Sequence, residues 1–211
     1  MVKYPYIVIE GNIGVGKTSL VKLLTEEYSA HSFFEEFSEN PFLPKFYENP
    51  EKHAFPLELS FLAERYHQLK KELNTHNIFH NTIISDYYFV KSLIFAQINL
   101  PEDEFKLYKN LFNIILQKLP KPNLFVYLYA DVNSLQNNIK GRARSYESNI
   151  SASYLEKINK GYLNYINQQK DFPAIIIDVT NLDFVHEKLD YDKILVYLNK
   201  TYTKGVCRIN S

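Results

Sequence analysis

The sequence has one cysteine, no tryptophan, six glycines and no net formal charge among its 211 residues. A single thiol, Cys207, cannot form a disulfide within the chain, which favours a reducing compartment. Because the 24 basic and 24 acidic side chains cancel, no overall field draws the protein to nucleic acid or to an anionic membrane. No apolar run approaches the ~20 residues of a membrane span. We therefore expect a cytoplasmic protein that binds neither nucleic acid nor membrane.

The order of apolar and helical patterns predicts one α/β domain over residues 1–211. Short, nearly uninterrupted apolar runs alternate with longer helical patterns, which is typical of a parallel sheet between two layers of helices. The expected strands are Tyr6–Glu10, Ser32–Glu36, Thr82–Asp86, Leu124–Tyr129 and Ala174–Val179. The expected helices are Lys17–Ser29, Pro50–Thr75, Tyr87–Gln97, Glu102–Lys118, Val132–Gly141, Ala152–Lys170 and Asp190–Tyr202. The prediction is a three-layer fold with a five-stranded parallel sheet, in which Asn49 caps the helix that begins at Pro50.

Glycine is scarce, yet three of the six glycines lie inside one segment of eight residues. That segment follows the first strand and opens the first helix, and it matches GxxxxGKT, the P-loop pattern that cradles the phosphates of a nucleoside triphosphate. Lys17 is expected to reach the outer phosphates, and Thr18 is expected to ligate Mg²⁺. The residues predicted to hold ATP are Gly11, Asn12, Ile13, Gly14, Val15, Gly16, Lys17, Thr18 and Ser19.

Two classes of P-loop protein are disfavoured by what the rest of the chain carries. A GTPase needs Asn-Lys-x-Asp to read guanine, but Thr180–Asp183 lacks the lysine and Asn199–Tyr202 lacks the aspartate. A large mechanical ATPase is normally longer and has a strand that ends in an acidic pair. Small-molecule kinases remain.

From the P-loop to about residue 170, the chain resembles the deoxyribonucleoside kinase family, in particular its bacterial purine-specific branch. Five blocks in order support this resemblance. They are the P-loop beginning at Glu10, Glu35–Pro50, Ala54–Glu58 with Arg65, Ser85–Tyr87, and the arginine-rich Gly141–Glu147. The resemblance implies a kinase that transfers the γ-phosphate of ATP to the 5′-hydroxyl of a deoxyribonucleoside.

The acceptor chemistry needs a carboxylate near the hydroxyl and cations near the transferred phosphate. By counting back from Asn40-Pro41, Glu35 falls on the family's base position, at the end of the second expected strand, and Glu36 is the fallback. Asp86 ends the third strand, where it can hold Mg²⁺, orient the 5′-hydroxyl or cap the next helix. The family pattern has arginine where this chain has Tyr87. Either Lys91 or the arginines of block five replace that cation.

The fifth block resembles the lid of the family, over residues of about 141–150. Arg142 and Arg144 are expected to close over the γ-phosphate, since guanidinium groups suit phosphate oxygens. Glu147 and Tyr47 are expected to contact the 3′-hydroxyl of the sugar, and the tyrosine to exclude a 2′-hydroxyl.

Glu58 and Arg65 are two helical turns apart and therefore share one helix face. The resemblance implies that they contact the nucleobase of the substrate. A carboxylate with a guanidinium is complementary to guanine, which offers two adjacent donors and the O6 acceptor, whereas adenine would direct its N1 lone pair at the carboxylate. We therefore expect deoxyguanosine to be favoured over deoxyadenosine. An ion pair between Glu58 and Arg65 that only shapes the pocket is the alternative.

Two other functions stay open at this point. A nucleoside monophosphate kinase of the thymidylate type shares the P-loop and the lid, but it needs a cationic clamp where this chain has Glu35 and Glu36. A regulatory module that binds ATP without catalysis would show the same P-loop. The family usually forms dimers through helices such as Pro50–Thr75 and Glu102–Lys118, so a homodimer is expected.

Overall fold

The described part of the chain builds a parallel sheet of six strands, in the order β2-β3-β1-β4-β5-β6. This computed structural model describes residues 3–36, 40–74, 82–142 and 150–209, and it describes the backbone alone for Tyr47, Asn74 and Arg142. The strands are β1 Tyr6–Gly11, β2 His31–Phe33, β3 Ile83–Ser85, β4 Leu124–Tyr129, β5 Pro173–Asp178 and β6 Gly205–Ile209. The helices are α1 Lys17–Tyr28, α2 Leu43–Glu48, α3 Pro50–Asn74, α4 Val90–Asn99, α5 Glu102–Leu116, α6 Val132–Arg142, α7 Ala152–Asn167 and α8 Lys188–Leu198. The predicted α/β class with a parallel sheet is confirmed.

The chain forms two compact units. Unit 1 comprises residues 1–34, 77–86 and 121–211, and unit 2 comprises residues 35–76 and 87–120. Unit 1 contains the whole sheet with α1, α6, α7 and α8, whereas unit 2 contains α2, α3, α4 and α5. The chain therefore leaves unit 1 directly after Phe34 and again directly after Asp86.

The central strand of unit 1 is β1, which pairs with β3 on one side and β4 on the other. All six residues of β1 are buried, as expected for a strand with helices over both faces. The core around it is aliphatic and includes Ile7, Ile9, Leu20 and Leu128. Its packing fixes the end of β1, where the P-loop begins.

Several predictions about these elements are wrong, and three of them bear on the site or the sheet. The sheet has a sixth strand, β6, a five-residue strand at the sheet edge with an exposed centre, which the search for buried apolar runs did not find. Strand β2 ends at Phe33, so Glu35 follows the strand by two residues and does not close it. Helix α4 begins at Val90, its N-cap position is Phe89, and no side chain caps it, so Asp86 does not cap this helix.

The start of α3 agrees with its sequence signal. The side-chain oxygen of Asn49 accepts a hydrogen bond from the Lys52 backbone amide at 3.2 Å, so the predicted N-cap is confirmed. A short helix that the sequence pattern did not indicate, α2, precedes it and ends at Glu48. No helix in the described ranges is long and apolar enough to cross a membrane.

A network of buried polar side chains ties the P-loop to α7 within unit 1. Asn12 donates from Nδ2 to the Leu155 carbonyl and to Asn159 Oδ1, each at 2.8 Å. Asn159 Oδ1 also accepts from Tyr127 Oη at 2.9 Å, and its Nδ2 donates to the Ala130 carbonyl at 3.2 Å. Because buried polar groups are costly when unpaired, this network holds the loop and the helix in one arrangement.

We expect Asn159→Ala to destabilise the protein by about 1–3 kcal/mol, because it removes the acceptor that Tyr127 and Asn12 share in a buried position. Urea unfolding followed by circular dichroism measures the change. Asn164→Ala is the matched control, since Asn164 is exposed on the same helix. Equal stability of the two variants would contradict a structural role for the network.

Candidate active site

The P-loop in unit 1 turns through glycines that have a left-handed backbone. Gly14 has a φ of 82° and Gly16 a φ of 94°, values that L side chains rarely adopt. A Cβ at Gly16 would also lie 2.8 Å from Cζ of Phe184. Gly16 occupies the N-cap position of α1, so the loop delivers its backbone to the positive end of the helix dipole. This conformation is suited to bind phosphate through amides.

The predicted ATP-binding residues, 11–19, run from the last residue of β1 through this loop into the first turn of α1. Nζ of Lys17 donates to the Asn12 carbonyl at 2.8 Å, so the lysine folds back across the loop. The ammonium therefore lies at the P-loop, where its positive charge suits the outer phosphates of a nucleotide.

Thr18 and Asp86 meet in unit 1, although they are 68 residues apart in sequence. Oγ1 of Thr18 donates to Oδ2 of Asp86 at 2.7 Å, and Asp86 is buried directly after β3. Mg²⁺ prefers such hard oxygen donors and keeps several of its waters, so the hydroxyl and carboxylate fit it. Together these residues would hold Mg²⁺, which neutralises negative charge on the phosphates when it is bound.

Unit 2 contains a buried cluster of one carboxylate and two cations. Oε1 of Glu35 accepts from Arg65, at 2.9 Å from Nε and 2.7 Å from Nη2, while Oε2 contacts Nζ of Lys91. The side chains of Glu35, Arg65 and Lys91 are only 10%, 5% and 11% exposed. Charges this desolvated are stable only when paired, so the three residues depend on one another.

The electrostatics of Glu35 follow from this cluster. Burial alone would raise the pKa of Glu35, but the charges of Lys91 and Arg65 and their hydrogen bonds outweigh it and lower the pKa to about 2. Glu35 is therefore ionised throughout the physiological pH range. Glu36, the fallback for the base, is exposed.

Tyr87 stands where the family pattern has arginine, and its side chain has a different task. It is buried, and its Oη donates to Oε1 of Gln68 at 2.6 Å within unit 2. Lys91, one of the two replacements considered for the missing cation, pairs with Glu35, whereas the arginines of block five lie outside the side chains that the structure describes.

A second pair of polar residues lies at the other end of the same helix pair. Glu58 on α3 accepts at Oε1 from Nδ2 of Asn99 on α4, at 2.7 Å, and both its side chain and its neighbour Arg65 are buried. Oε2 of Glu58 has no hydrogen-bond partner among the described residues. Burial raises the pKa of Glu58 to about 7, against the hydrogen bond from Asn99 and the charge of Arg65.

Arg65 does not use Glu58 as its ion-pair partner. Its charge is paired with Glu35, and its Nη1 donates to Oγ of Ser92 at 2.8 Å. The alternative of a Glu58–Arg65 ion pair is therefore wrong, which leaves an oxygen of Glu58 available to a ligand.

Sequence reasoning did not identify Ser92, Asn99 or Tyr108 as part of this cluster. Ser92 and Asn99 are seven residues apart on α4, and Oη of Tyr108 donates to the Glu58 carbonyl at 3.2 Å. The spacing of seven repeats that of Glu58 and Arg65 on α3, and this repetition was a usable signal. Four predicted sites lie outside the described residues: the side chains of Tyr47 and Arg142, and the residues Arg144 and Glu147.

Comparison with known proteins identifies the family of this chain. Residues 7–203 match the family described as deoxynucleoside kinase. The chain is 33% identical to the deoxyguanosine kinase of Bacillus subtilis (strain 168) over 200 residues, which cover 93% of this chain and 97% of that protein. It is 30% identical to a deoxyadenosine kinase of Lactobacillus acidophilus over 190 residues, which cover 85% of this chain and 87% of that protein.

A solved structure of deoxyadenosine kinase from M. mycoides with bound dATP is similar throughout. Its TM-score is 0.79 at 26% identity, and the match covers 92% of this chain and 99% of that one. The P-loop of unit 1 and the buried, paired carboxylate of unit 2 agree with these matches, and the chain belongs to the deoxynucleoside kinase family as an ATP-dependent enzyme.

Proposed function

We propose that this enzyme transfers the γ-phosphate of ATP to the 5′-hydroxyl of a purine deoxyribonucleoside and favours deoxyguanosine over deoxyadenosine. The observation that supports the purine assignment is the buried Oε2 of Glu58, an acceptor with no hydrogen-bond partner among the described residues. A buried oxygen of this kind costs free energy unless a ligand supplies a donor.

Unit 1 supplies the donor half of the reaction. The amides of residues 11–19 and the ammonium of Lys17 bind the triphosphate, and Thr18 with Asp86 holds Mg²⁺. The M. mycoides relative binds dATP, a nucleoside triphosphate, which is consistent with this assignment. The lid residues Arg142 and Arg144 complete the neutralisation of the transferred phosphate in this proposal.

Unit 2 supplies the acceptor half. Glu35 accepts a hydrogen bond from the 5′-hydroxyl and orients its oxygen toward the phosphate. A carboxylate whose pKa is about 2 is a weak base, so it takes the proton late, after the bond to phosphorus has formed. This suits phosphoryl transfer, whose loose transition state needs little prior proton removal. Tyr47 and Glu147 bind the 3′-hydroxyl in this proposal.

Guanine presents N1–H and the 2-amino group as adjacent donors, and an ionised Glu58 can accept at Oε2. The guanidinium of Arg65 has five N–H donors, of which Glu35 and Ser92 engage three, so it can also donate to O6. Adenine lacks a hydrogen on N1 and would place a lone pair against the carboxylate.

The alternatives are weaker. A monophosphate kinase would bring a dianionic acceptor to an ionised carboxylate at Glu35, and the family match favours a nucleoside acceptor. A regulatory module without catalysis would not need a desolvated carboxylate that two cations keep ionised. Incubation with Mg-ATP and a mixture of deoxynucleosides distinguishes these three functions, because only the proposed enzyme converts a deoxynucleoside to its 5′-monophosphate.

We propose that the enzyme is a homodimer that associates through α5. Leu107, Leu111 and Ile114 are 54%, 37% and 58% exposed, and their spacing places them on one stripe of the helix. A continuous apolar stripe on a helix surface is typical of an interface.

Glu35→Gln is expected to lower kcat for deoxynucleoside phosphorylation by roughly 10²- to 10⁴-fold, because the amide cannot accept the proton of the hydroxyl. ATP binding, measured by calorimetry, should remain, since the P-loop lies in unit 1. Glu36→Gln is the matched control at the exposed neighbouring carboxylate and should retain activity. A fully active Glu35→Gln enzyme would exclude Glu35 as the catalytic residue.

Glu58→Gln is expected to lower the ratio of kcat/KM for deoxyguanosine to that for deoxyadenosine by about ten- to hundredfold, because glutamine can donate to N1 of adenine. Steady-state assays with both nucleosides measure the ratio. Glu51→Gln, at an exposed glutamate on the same helix, is the control and should leave it unchanged. An unchanged ratio in Glu58→Gln would remove Glu58 from base recognition.

Ile114→Glu is expected to convert the dimer to a monomer, because a charge on the stripe must be desolvated when α5 is covered. Sedimentation velocity measures the mass in solution. Leu189→Glu on α8 replaces a residue that is 76% exposed and lies off the stripe, so it should leave the dimer intact. A monomeric wild-type enzyme would refute the proposed interface.

A further inference from the structure

Two pairs of polar residues face each other across α3 and α4 in unit 2. Glu58 on α3 meets Asn99 on α4, and Arg65 on α3 meets Ser92 on α4. On each helix the two polar residues are seven positions apart, which is two helical turns. Each helix therefore presents both of its polar side chains on one buried face. The Arg65 end of this array pairs with Glu35, while the Glu58 end leaves one polar atom unpaired.

Asn99 distinguishes the two oxygens of the Glu58 carboxylate. Its Nδ2 is a donor and lies 2.7 Å from Oε1, so Oε1 must remain an acceptor. A proton that binds to this carboxylate therefore binds to Oε2. Oε2 is an acceptor when Glu58 is ionised and a donor when it is protonated, and it is the atom without a partner among the described residues.

We propose that Asn99 is a specificity-determining positioning residue: it fixes Glu58 through Oε1 and leaves Oε2 to read N1 of the purine, so that ionised Glu58 selects guanine and protonated Glu58 selects adenine. This inference rests on the proposed purine deoxynucleoside kinase function. Asn99 acts through Glu58 and contacts no reacting atom.

The environment of Glu58 makes both its ionised and its protonated form accessible near neutral pH. Arg65 on α3, Lys91 on α4, Tyr108 on α5 and Glu35 are the titratable or charged groups that act on Glu58 and its neighbours. Burial raises the pKa of Glu58 to about 7, and the hydrogen bond from Asn99, followed by the charge of Arg65, opposes this rise. Both forms are therefore populated near neutral pH.

The proton balance of binding follows from this arrangement. When adenine binds to the ionised form, one proton must be taken up from solvent onto Oε2, between that oxygen and N1 of the base. When guanine binds to the protonated form, the proton on Oε2 must be released, because N1–H already supplies the donor. The two substrates should therefore have opposite proton linkage.

The first test is the pH dependence of the ratio of kcat/KM for deoxyguanosine to kcat/KM for deoxyadenosine, from about pH 5.5 to about pH 8.5, a range that brackets the pKa of Glu58. Taking the ratio cancels the pH dependence of groups that affect both substrates equally. In the wild type the ratio should rise by about tenfold or more from low to high pH, because protonated Glu58 disfavours guanine and ionised Glu58 disfavours adenine. In Glu58→Gln the ratio should be independent of pH.

Asn99→Ala and Asn99→Asp test the positioning role. Alanine removes the hydrogen bond that favours the ionised form of Glu58, and aspartate places a second carboxylate of similar size beside it. Both changes raise the pKa of Glu58, so both should move the midpoint of the ratio to higher pH. Asn113→Ala, at an exposed asparagine on α5, is the control and should keep the wild-type midpoint. A role in packing alone would change activity with both substrates and leave the midpoint in place.

The second test uses the wild type without any variant. Calorimetric titration of each nucleoside in buffers with different ionisation enthalpies measures protons exchanged on binding. At a pH above the pKa of Glu58, deoxyadenosine should take up as much as about one proton, and below it deoxyguanosine should release a similar amount. Equal linkage for the two nucleosides, or a midpoint that stays fixed in both Asn99 variants, would overturn the proposal. Failure to phosphorylate any purine deoxynucleoside would instead refute the proposed function itself, before Asn99 is tested.

Discussion

The buried carboxylate of Glu35 sets a strict condition on unit 2. A desolvated anion is stable only if cations reach both of its oxygens, and Arg65 on α3 and Lys91 on α4 meet this need from two different helices. The same pairing fixes Arg65, and through Ser92 it aligns α3 with α4. That alignment in turn brings Asn99 to Glu58 at the other end of the helix pair. The ion cluster therefore positions both carboxylates of the proposed acceptor site, Glu35 and Glu58.

The P-loop, the parallel sheet and the N-cap at Asn49 could be predicted because each depends on residues that are close in sequence. Local steric and hydrogen-bonding rules are sufficient for such features. Strand β6 escaped prediction because an edge strand needs no long apolar run. The end of β2 was misplaced because Phe34 extends the apolar run past Phe33, where strand pairing stops. The predicted cap role of Asp86 met the same limit, since its carboxylate instead accepts from Thr18, which is distant in sequence.

The residues proposed to recognise the base were harder to predict. Glu58 and Arg65 were found through their spacing and through family resemblance, but their partners were not. Whether a glutamate pairs with an arginine or an asparagine depends on which helix packs beside it, and no pattern within α3 contains that information. Lys91 was recognised as a candidate because Tyr87 left a cation missing, so a departure from the family pattern was more informative than agreement would have been.

The contact between Gly16 and Phe184 links the P-loop to a part of unit 1 that has no chemical motif. Glycine at position 16 is required twice, once by its left-handed φ and once because a Cβ would lie 2.8 Å from the ring of Phe184. These two requirements differ in origin, since a smaller residue at 184 would relieve the second and leave the first. Substitutions at the two positions are therefore epistatic. Residues of different size are tolerated at position 184 while position 16 is glycine. A side chain at position 16, in contrast, requires that Phe184 has first been replaced by a smaller residue.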